Sequence, residues 1–293
     1  MQVKNRKFIG TLAGIAAAIC YGTNPLGALK LYAEGMQTNS VLFYRFGLAW
    51  VIIALVMLFR KESLKVTWKE FRVLTGLGLL FIVSSLTLYL SFHYMAAGVA
   101  STILFTYPVM TAVIMAVFFH ERISWSTVGS LLLSSVGVAL LYWSDSAGAL
   151  STIGVLLVMA SALSYALYII VVNQSDLQMS SFKINFYVLM YCALGMLVYS
   201  GIAGLPLILP HNAVSWFYVG WLAVVPAIFA LVLMVYAAKY VGSTTTAILG
   251  ALEPLTAVLI GIFVFSEPFT LNLALGIVLI LAAVVLIAVV KKP

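Results

Sequence analysis

Glu253 and Pro254 stand together near the middle of an apolar stretch from Ser243 to Phe265, Glu253 being the eleventh of its 23 residues. A carboxylate at bilayer depth costs on the order of several kcal/mol unless it faces protein or water. A helix-interior proline also frees the carbonyl four residues back, here that of Gly250. A carboxylate, an unpaired carbonyl and a kink then coincide at one level. That set suits holding a cationic or amine-bearing solute, or loading and releasing a proton. The competing reading makes Glu253 a fixed acceptor for hydroxyls of a neighbouring helix, and the residues alone balance the two.

Arg45 lies about six residues into a second apolar stretch, Ser40 to Phe59, hence roughly 9 Å along a helix from its outer end. A long arginine can snorkel that far, and this reading leads the alternative, a bidentate clamp for a carboxylate. Two polar stripes have helical spacing. Ser85, Tyr89 and His93 recur at every fourth position, and Ser161, Ser164, Tyr165 and Tyr168 share a face of a later segment. Cys20, Tyr21 and Asn24 are the first-half counterparts of Ser164, Tyr165 and Tyr168. Such stripes line either a cavity or a hydrogen-bonded helix contact; their presence in both halves favours the cavity, with His93 itself expected in the interface. Asn24 precedes Pro25, Tyr107 precedes Pro108, and Pro226 interrupts another segment, which marks Pro25, Pro108, Pro226 and Pro254 as kinks or gates. Gly10, Gly14, Ala18 and Gly22, spaced by four, predict a close helix contact.

Catalysis fails on inventory. The three histidines, His93, His120 and His211, fall near helix ends or in loops, without HExxH, paired carboxylates or a phosphate-binding glycine loop. Cys20 and Cys192 sit within apolar stretches and suggest neither disulfide nor metal site. No cofactor is expected.

The elements that must position these residues are membrane helices. Of 293 residues, 64% are apolar and 8% charged, too few charges for a soluble domain of this length, and backbone polar groups in lipid demand helices. Ten segments can be read: Phe8 to Leu31, Ser40 to Phe59, Val73 to Met95, Gly98 to Phe119, Ser124 to Trp143, Thr152 to Val172, Phe182 to Ala203, Val214 to Ala238, Ser243 to Phe265 and Phe269 to Val290. The start resembles a secretory signal only superficially, since its apolar run is too long.

The chain repeats. An offset of 146 carries Tyr94 onto Tyr240, Pro108 onto Pro254 and Glu121 onto Glu267 without a gap, and it extends back to match His93 with Lys239. The units, 8–143 and 152–290, hold five segments each, an odd number, so the second must be inverted. The net charge of +7 points to topology rather than nucleic acid. With the amino terminus inside, every Lys and Arg except Lys30 and Arg45 falls on the inner side, and both termini are cytoplasmic. The basic loop Arg60 to Arg72 corresponds to Gly201 to Ala213, which has no Lys or Arg, as inversion requires.

The stretches GVASTILFTYPVMTAVIMAVFFHER and TTTAILGALEPLTAVLIGIFVFSEP, with ten segments and inverted halves, resemble the two EamA modules of the drug/metabolite transporter superfamily. The resemblance implies an all-α fold of ten transmembrane helices in two inverted five-helix repeats around a central cavity. Helices 1, 3, 4, 6, 8 and 9 would chiefly line it, and helices 5 and 10 would lie at the periphery, in packing or homodimer contact. Glu253 and Pro254 match the family's Glu-Pro, and Glu121 and Glu267 its post-helix glutamate, read here as complementing the dipole of the following helix.

The expected substrate set is Tyr21, Asn24, Arg45, Ser85, Tyr89, His93, Tyr107, Tyr165, Tyr168 and Glu253, with Glu253 also the coupling residue. With only Arg45 and Lys239 near the cavity, polyanions are disfavoured; small neutral, zwitterionic or amine solutes fit better. The expectation is an alternating-access exporter of metabolites or drugs in a bacterial cytoplasmic membrane, in which Glu253 couples to a proton or to the substrate amine. Alternatives are an uncoupled facilitator and a non-transporting interaction protein.

Overall fold

A computed structural model describes residues 2–120, 125–142, 151–175, 177, 179–230, 232–234, 236–237, 240–241, 249–250 and 252–290. Glu121, Arg122, Lys239, the start of the ninth segment at Ser243, and Lys291 and Lys292 lie outside the described residues. The helices are α1 (Gln2–Gly22), α2 (Asn24–Ala33), α3 (Thr38–Phe59), α4 (Trp68–Ser91), α5 (Ala97–Leu104), α6 (Tyr107–Phe118), α7 (Trp125–Tyr142), α8 (Thr152–Gln174), α9 (Ser181–Ala203), α10 (Ala213–Val224), α11 (Leu252–Phe265) and α12 (Leu271–Val290), with a π-helical turn Val225–Phe229 after α10.

Seven described runs are long and apolar enough to cross a membrane: α1 with α2, α3, α4, α5 with α6, most of α8, α9, and α10 continuing to Met234. Shorter apolar helices within α7, α11 and α12 bring the segments to ten. This is an integral, multi-pass, all-helical membrane protein. The apolar run of each segment forms a helix because only there can its backbone bond to itself in lipid. Short polar residues start the helices where the chain leaves that environment. Thr67 and Glu70 form a capping box on α4, while Ser151, Ser180 and Asn212 accept from the third residue beyond in α8, α9 and α10. Gly204 ends α9 at φ 65°, a left-handed position that glycine occupies without a Cβ penalty. Phe59, Ile202 and Phe263, each more than four-fifths exposed, make up part of the apolar outer surface.

The sequence marks the prolines as kinks or interruptions of their helices. At Pro25 and Pro108 the helix stops and restarts. Pro25 is the second residue of α2 and Pro108 the second of α6, where a missing N–H deprives no intrahelical bond. Pro226 sits in the π turn, whose widened ring lets the Ala230 N–H reach back to the Val225 carbonyl.

Helix pairings are symmetric under exchange of the halves. α4 packs on α8 as α10 packs on α2, and α4 packs on α9 as α10 packs on α3. The α5–α6 segment packs on α8 as α11 packs on α1. The pairs α3–α9, α7–α12 and α5–α11 map onto themselves. Single residues repeat the pattern. A Cβ on Gly10 would fall 2.6 Å from the Tyr240 Cβ and 3.0 Å from Val241, and one on Gly154 would fall 3.0 Å from the Tyr94 Cβ and 2.8 Å from Met95. Gly14 and Gly22 of the small-residue stripe meet Leu249 and Thr256 in the same way, and Ala18 is fully buried.

Glu267 differs from its expected role. Its carboxylate accepts from the backbone N–H groups of Ala97 (2.9 Å) and Gly98 (3.4 Å), so it caps α5 in the other half rather than the helix that follows it. Burial pushes this carboxyl up, against the two amide hydrogen bonds. A helix start enclosed by protein needs such an acceptor, and a loop from the second half supplies it.

Gly10→Leu and Gly154→Leu, each forcing a side chain into a helix crossing, are expected to destabilise the protein by similar amounts, about 1–3 kcal/mol, in detergent thermal unfolding. A large effect at only one of the two would contradict equivalent crossings.

Candidate functional site

Where the helices break, a cavity of about 230 Å³ opens between the halves, lined from α1–α2, α3, α4, the α5–α6 junction, α8, α9, the π turn and α11. The breaks leave backbone carbonyls that must be satisfied locally. At the first, Pro25 has no N–H for the Tyr21 carbonyl, and the Asn24 side-chain amide donates to it instead at 2.9 Å. The Thr23 hydroxyl donates to the Cys20 carbonyl at 2.7 Å and accepts from the Trp221 indole at 3.2 Å. Asn24 is thus both the repair of a helix break and a wall of the cavity.

The other end of that amide is fixed as well. Arg45 Nη1 donates to the Tyr89 hydroxyl, and that hydroxyl donates to Asn24 Oδ1 at 3.3 Å. The guanidinium lies 5.3 Å from the Tyr89 ring centroid and 5.4 Å from that of Phe46, so cation–π attraction adds to the hydrogen bond. Arg45 is only 7% exposed and lines the cavity. The snorkelling expectation fails here: the side chain turns into the bundle instead of reaching the surface, because Tyr89 and Phe46 offer partners at its own depth.

Opposite chemistry meets the same space. Tyr107 meets Tyr165 edge-on at 4.7 Å, Tyr165 and Tyr168 are parallel at 5.9 Å, and Phe81 lies against Tyr168 at 5.4 Å. Together they make an aromatic wall. Glu253 opens onto the cavity, as does Tyr21. Among the described residues no hydroxyl or amide donates to the Glu253 carboxylate, so the reading of Glu253 as a fixed structural acceptor finds no partner. The backbone here is crowded, since a Cβ on Gly22 would fall 2.6 Å from the Glu253 carbonyl oxygen. α1 and α11 therefore touch at the level of the carboxylate.

Of the residues expected from sequence, Tyr21, Asn24, Arg45, Ser85, Tyr89, Tyr107, Tyr165, Tyr168 and Glu253 share this cavity, with Pro226. His93 does not. It is exposed just past α4, its ring stacked on Tyr32 at 4.4 Å and its Nε2 2.9 Å from the Thr38 hydroxyl. Thr38 donates to the Tyr32 hydroxyl, which donates to the Tyr89 carbonyl. The α4 stripe therefore leaves the cavity after Tyr89, and His93 ties α2, α3 and α4 together beyond it. Asn39 adds a second tie at that end, donating to Ser200 at 2.9 Å. Pro25, Pro108 and Pro254 flank the cavity without lining it. Ser161 belongs to a helix contact, donating to the Ser84 carbonyl at 2.7 Å.

Sequence reasoning missed Phe46, Phe81, Ser84, Asn185 and Met234. Phe81 was findable, since it precedes Ser85 by four and continues that stripe, but an apolar residue in an apolar helix carries no contrast. Asn185 stands in the first turns of α9 and reads as an ordinary helix-end residue.

A ten-segment bundle with a polar cavity at its helix breaks is the form of a membrane transporter. The model of the EamA-like transporter family matches residues 8–143 and 152–289, and the chain belongs to that family. It is therefore a membrane transporter, not an enzyme. It is 28% identical over 273 residues to an uncharacterized transporter of Archaeoglobus fulgidus, covering 92% of this chain and 94% of that one. It is 29% identical over 251 residues to the uncharacterized transporter YvbV of Bacillus subtilis, covering 82% and 78%. A solved structure described only as a crystal structure of a protein has the same fold, with a TM-score of 0.67 over 94% of this chain at 18% identity.

Asn24→Ala leaves the Tyr21 carbonyl without its donor and the Tyr89 hydroxyl without its acceptor. It is expected to cost about 1–3 kcal/mol in thermal unfolding of the purified protein. A stability unchanged within a few tenths of a kcal/mol would show the break to be satisfied otherwise.

Proposed function

We propose that the two halves are inverted repeats that rock about the cavity, exporting a small neutral, zwitterionic or amine-bearing solute across a bacterial cytoplasmic membrane with both termini inside. The exchange symmetry of the helix pairings and the matched Gly10 and Gly154 crossings support the repeat. Five segments per unit and the one-sided distribution of Lys and Arg support the inversion and the orientation.

The observation that carries the reading is Glu253, a carboxylate in the cavity wall with no donor among the described residues, lining the same cavity as the four aromatic rings of Phe81, Tyr107, Tyr165 and Tyr168. A carboxylate fixed in a structural network could not change partners during a cycle, whereas a free one can accept a proton or a substrate ammonium in turn. Tyrosine faces attract an ammonium without dehydrating it onto a second charge. The ties of His93, Thr38, Tyr32 and Asn39 lie on the side assigned to the exterior, which supports a state closed to the outside. The proposed set is Tyr21, Asn24, Arg45, Ser85, Tyr89, Tyr107, Tyr165, Tyr168 and Glu253, and Glu253 is the coupling residue.

The test is counterflow and accumulation of amino acids, amines and vitamins in proteoliposomes, with and without a pH gradient. Native protein is expected to accumulate at least one solute only with the gradient, and Glu253→Gln to abolish accumulation while leaving the fold intact by thermal unfolding. Equilibration without accumulation, equal in both proteins, would contradict coupling through Glu253.

A further inference from the structure

The cavity holds a second charge that the proposed coupling does not use. Arg45 is more than nine-tenths buried, lines the cavity, and forms no ion pair among the described residues. Its hydrogen bonding is lopsided. Nη1 is committed to the Tyr89 hydroxyl, while Nε is buried without any partner. Nη2 makes no hydrogen bond among the described residues. The edge left free, Nε with Nη2, is the side of a guanidinium that takes a carboxylate with two parallel N–H···O bonds.

The surroundings fit a clamp better than a strut. A buried cation lacking an anion is unfavourable unless something completes it. Cation–π contacts to Phe46 and Tyr89 offset part of that cost, but they do not satisfy the N–H groups, and Nε stays buried and unpaired. Its direction is also fixed from behind. Tyr89 is fully buried and held through Asn24 to the carbonyl of Tyr21, so the guanidinium is braced against the helix break. A site built to recognise a ligand needs such a supporting layer. A mere helix tie would pair the charge with a carboxylate or with several carbonyls.

We infer that Arg45 is an anion subsite, and that the transported solute carries a carboxylate which docks on its Nε–Nη2 edge. This rests on the cavity being the transport site and narrows the substrate class to acids, including zwitterions whose ammonium faces Glu253 and the aromatic wall. Tyr89 and Asn24 act as positioning residues. One clamp of this kind suits a single carboxylate and leaves a polyphosphate largely uncompensated.

The test is ligand-induced thermal stabilisation of the full chain in detergent. The probes are L-amino acids, each beside its C-terminal amide, and short monocarboxylates beside their amides, with chloride alone as the control for an adventitious ion. Native protein is expected to prefer at least one acid over its amide by about tenfold or more in apparent affinity. Arg45→Gln is expected to erase that preference, and Arg45→Lys to keep the charge but lose most of it. Should Arg45→Gln not fold, Tyr89→Phe leaves the charge in place, and it is expected to weaken acid binding more than amide binding and so to narrow the acid preference, whereas an equal loss for both would overturn the inference. Equal shifts from acid and amide, no shift from any acid, or saturation by chloride alone overturns the inference. Absence of flux in proteoliposomes with the acid preference intact would instead count against the transport reading and leave the clamp standing.

Discussion

Lipid offers no hydrogen bonds, and this protein breaks its helices in the middle of the bundle. Everything about the cavity depends on how those interruptions are satisfied. A proline in the interior of a membrane helix would leave a carbonyl unpaired at a cost of several kcal/mol. Here Asn24 donates to the carbonyl that Pro25 abandons, Thr23 takes the next one, and a π turn absorbs Pro226. Irregular backbone at membrane depth is tolerated where it lines a cavity, and the same side chains that repair the backbone form the walls. The polar surface of the site follows from the repair of the fold.

That coupling explains why charge can be kept at this level. Arg45 is stabilised by ring faces and one hydroxyl instead of a counter-ion, and Glu253 stands free of hydroxyl or amide donors among the described residues. A buried guanidinium and a part-buried carboxyl group, both lining one cavity of about 230 Å³, form a site whose electrostatics are completed by what enters it. Gly22 holds α1 against α11 at the depth of Glu253, so a shift of either helix during a cycle must alter the surroundings of that carboxylate.

Much of this was legible in the residues. Apolar runs of membrane length fix the class, the offset of Tyr94 onto Tyr240 reappears as equivalent crossings at Gly154 and Gly10, and polar stripes at helical spacing point inward. Legibility ended where a side chain had a choice of partner. Arg45 reads as a snorkelling residue because sequence gives its depth but not the Tyr89 hydroxyl waiting beside it. His93 shares the spacing of Ser85 and Tyr89, yet the helix ends before it and the ring goes to Tyr32. Glu267 stands in the loop before α12 and caps α5 instead, a contact between halves that no local pattern encodes. Phe81 was hidden by being apolar.

The central claim is that one cavity faces the two sides of the membrane in turn. The direct measurement is thiol labelling of a single cysteine at Ser85, in protein whose Cys20 and Cys192 are replaced by serine or alanine, with a membrane-impermeant reagent applied to one face at a time. Labelling from either face, each protected by a bound solute, is the predicted result. Labelling confined to one face under all gradients, or from neither, would contradict it.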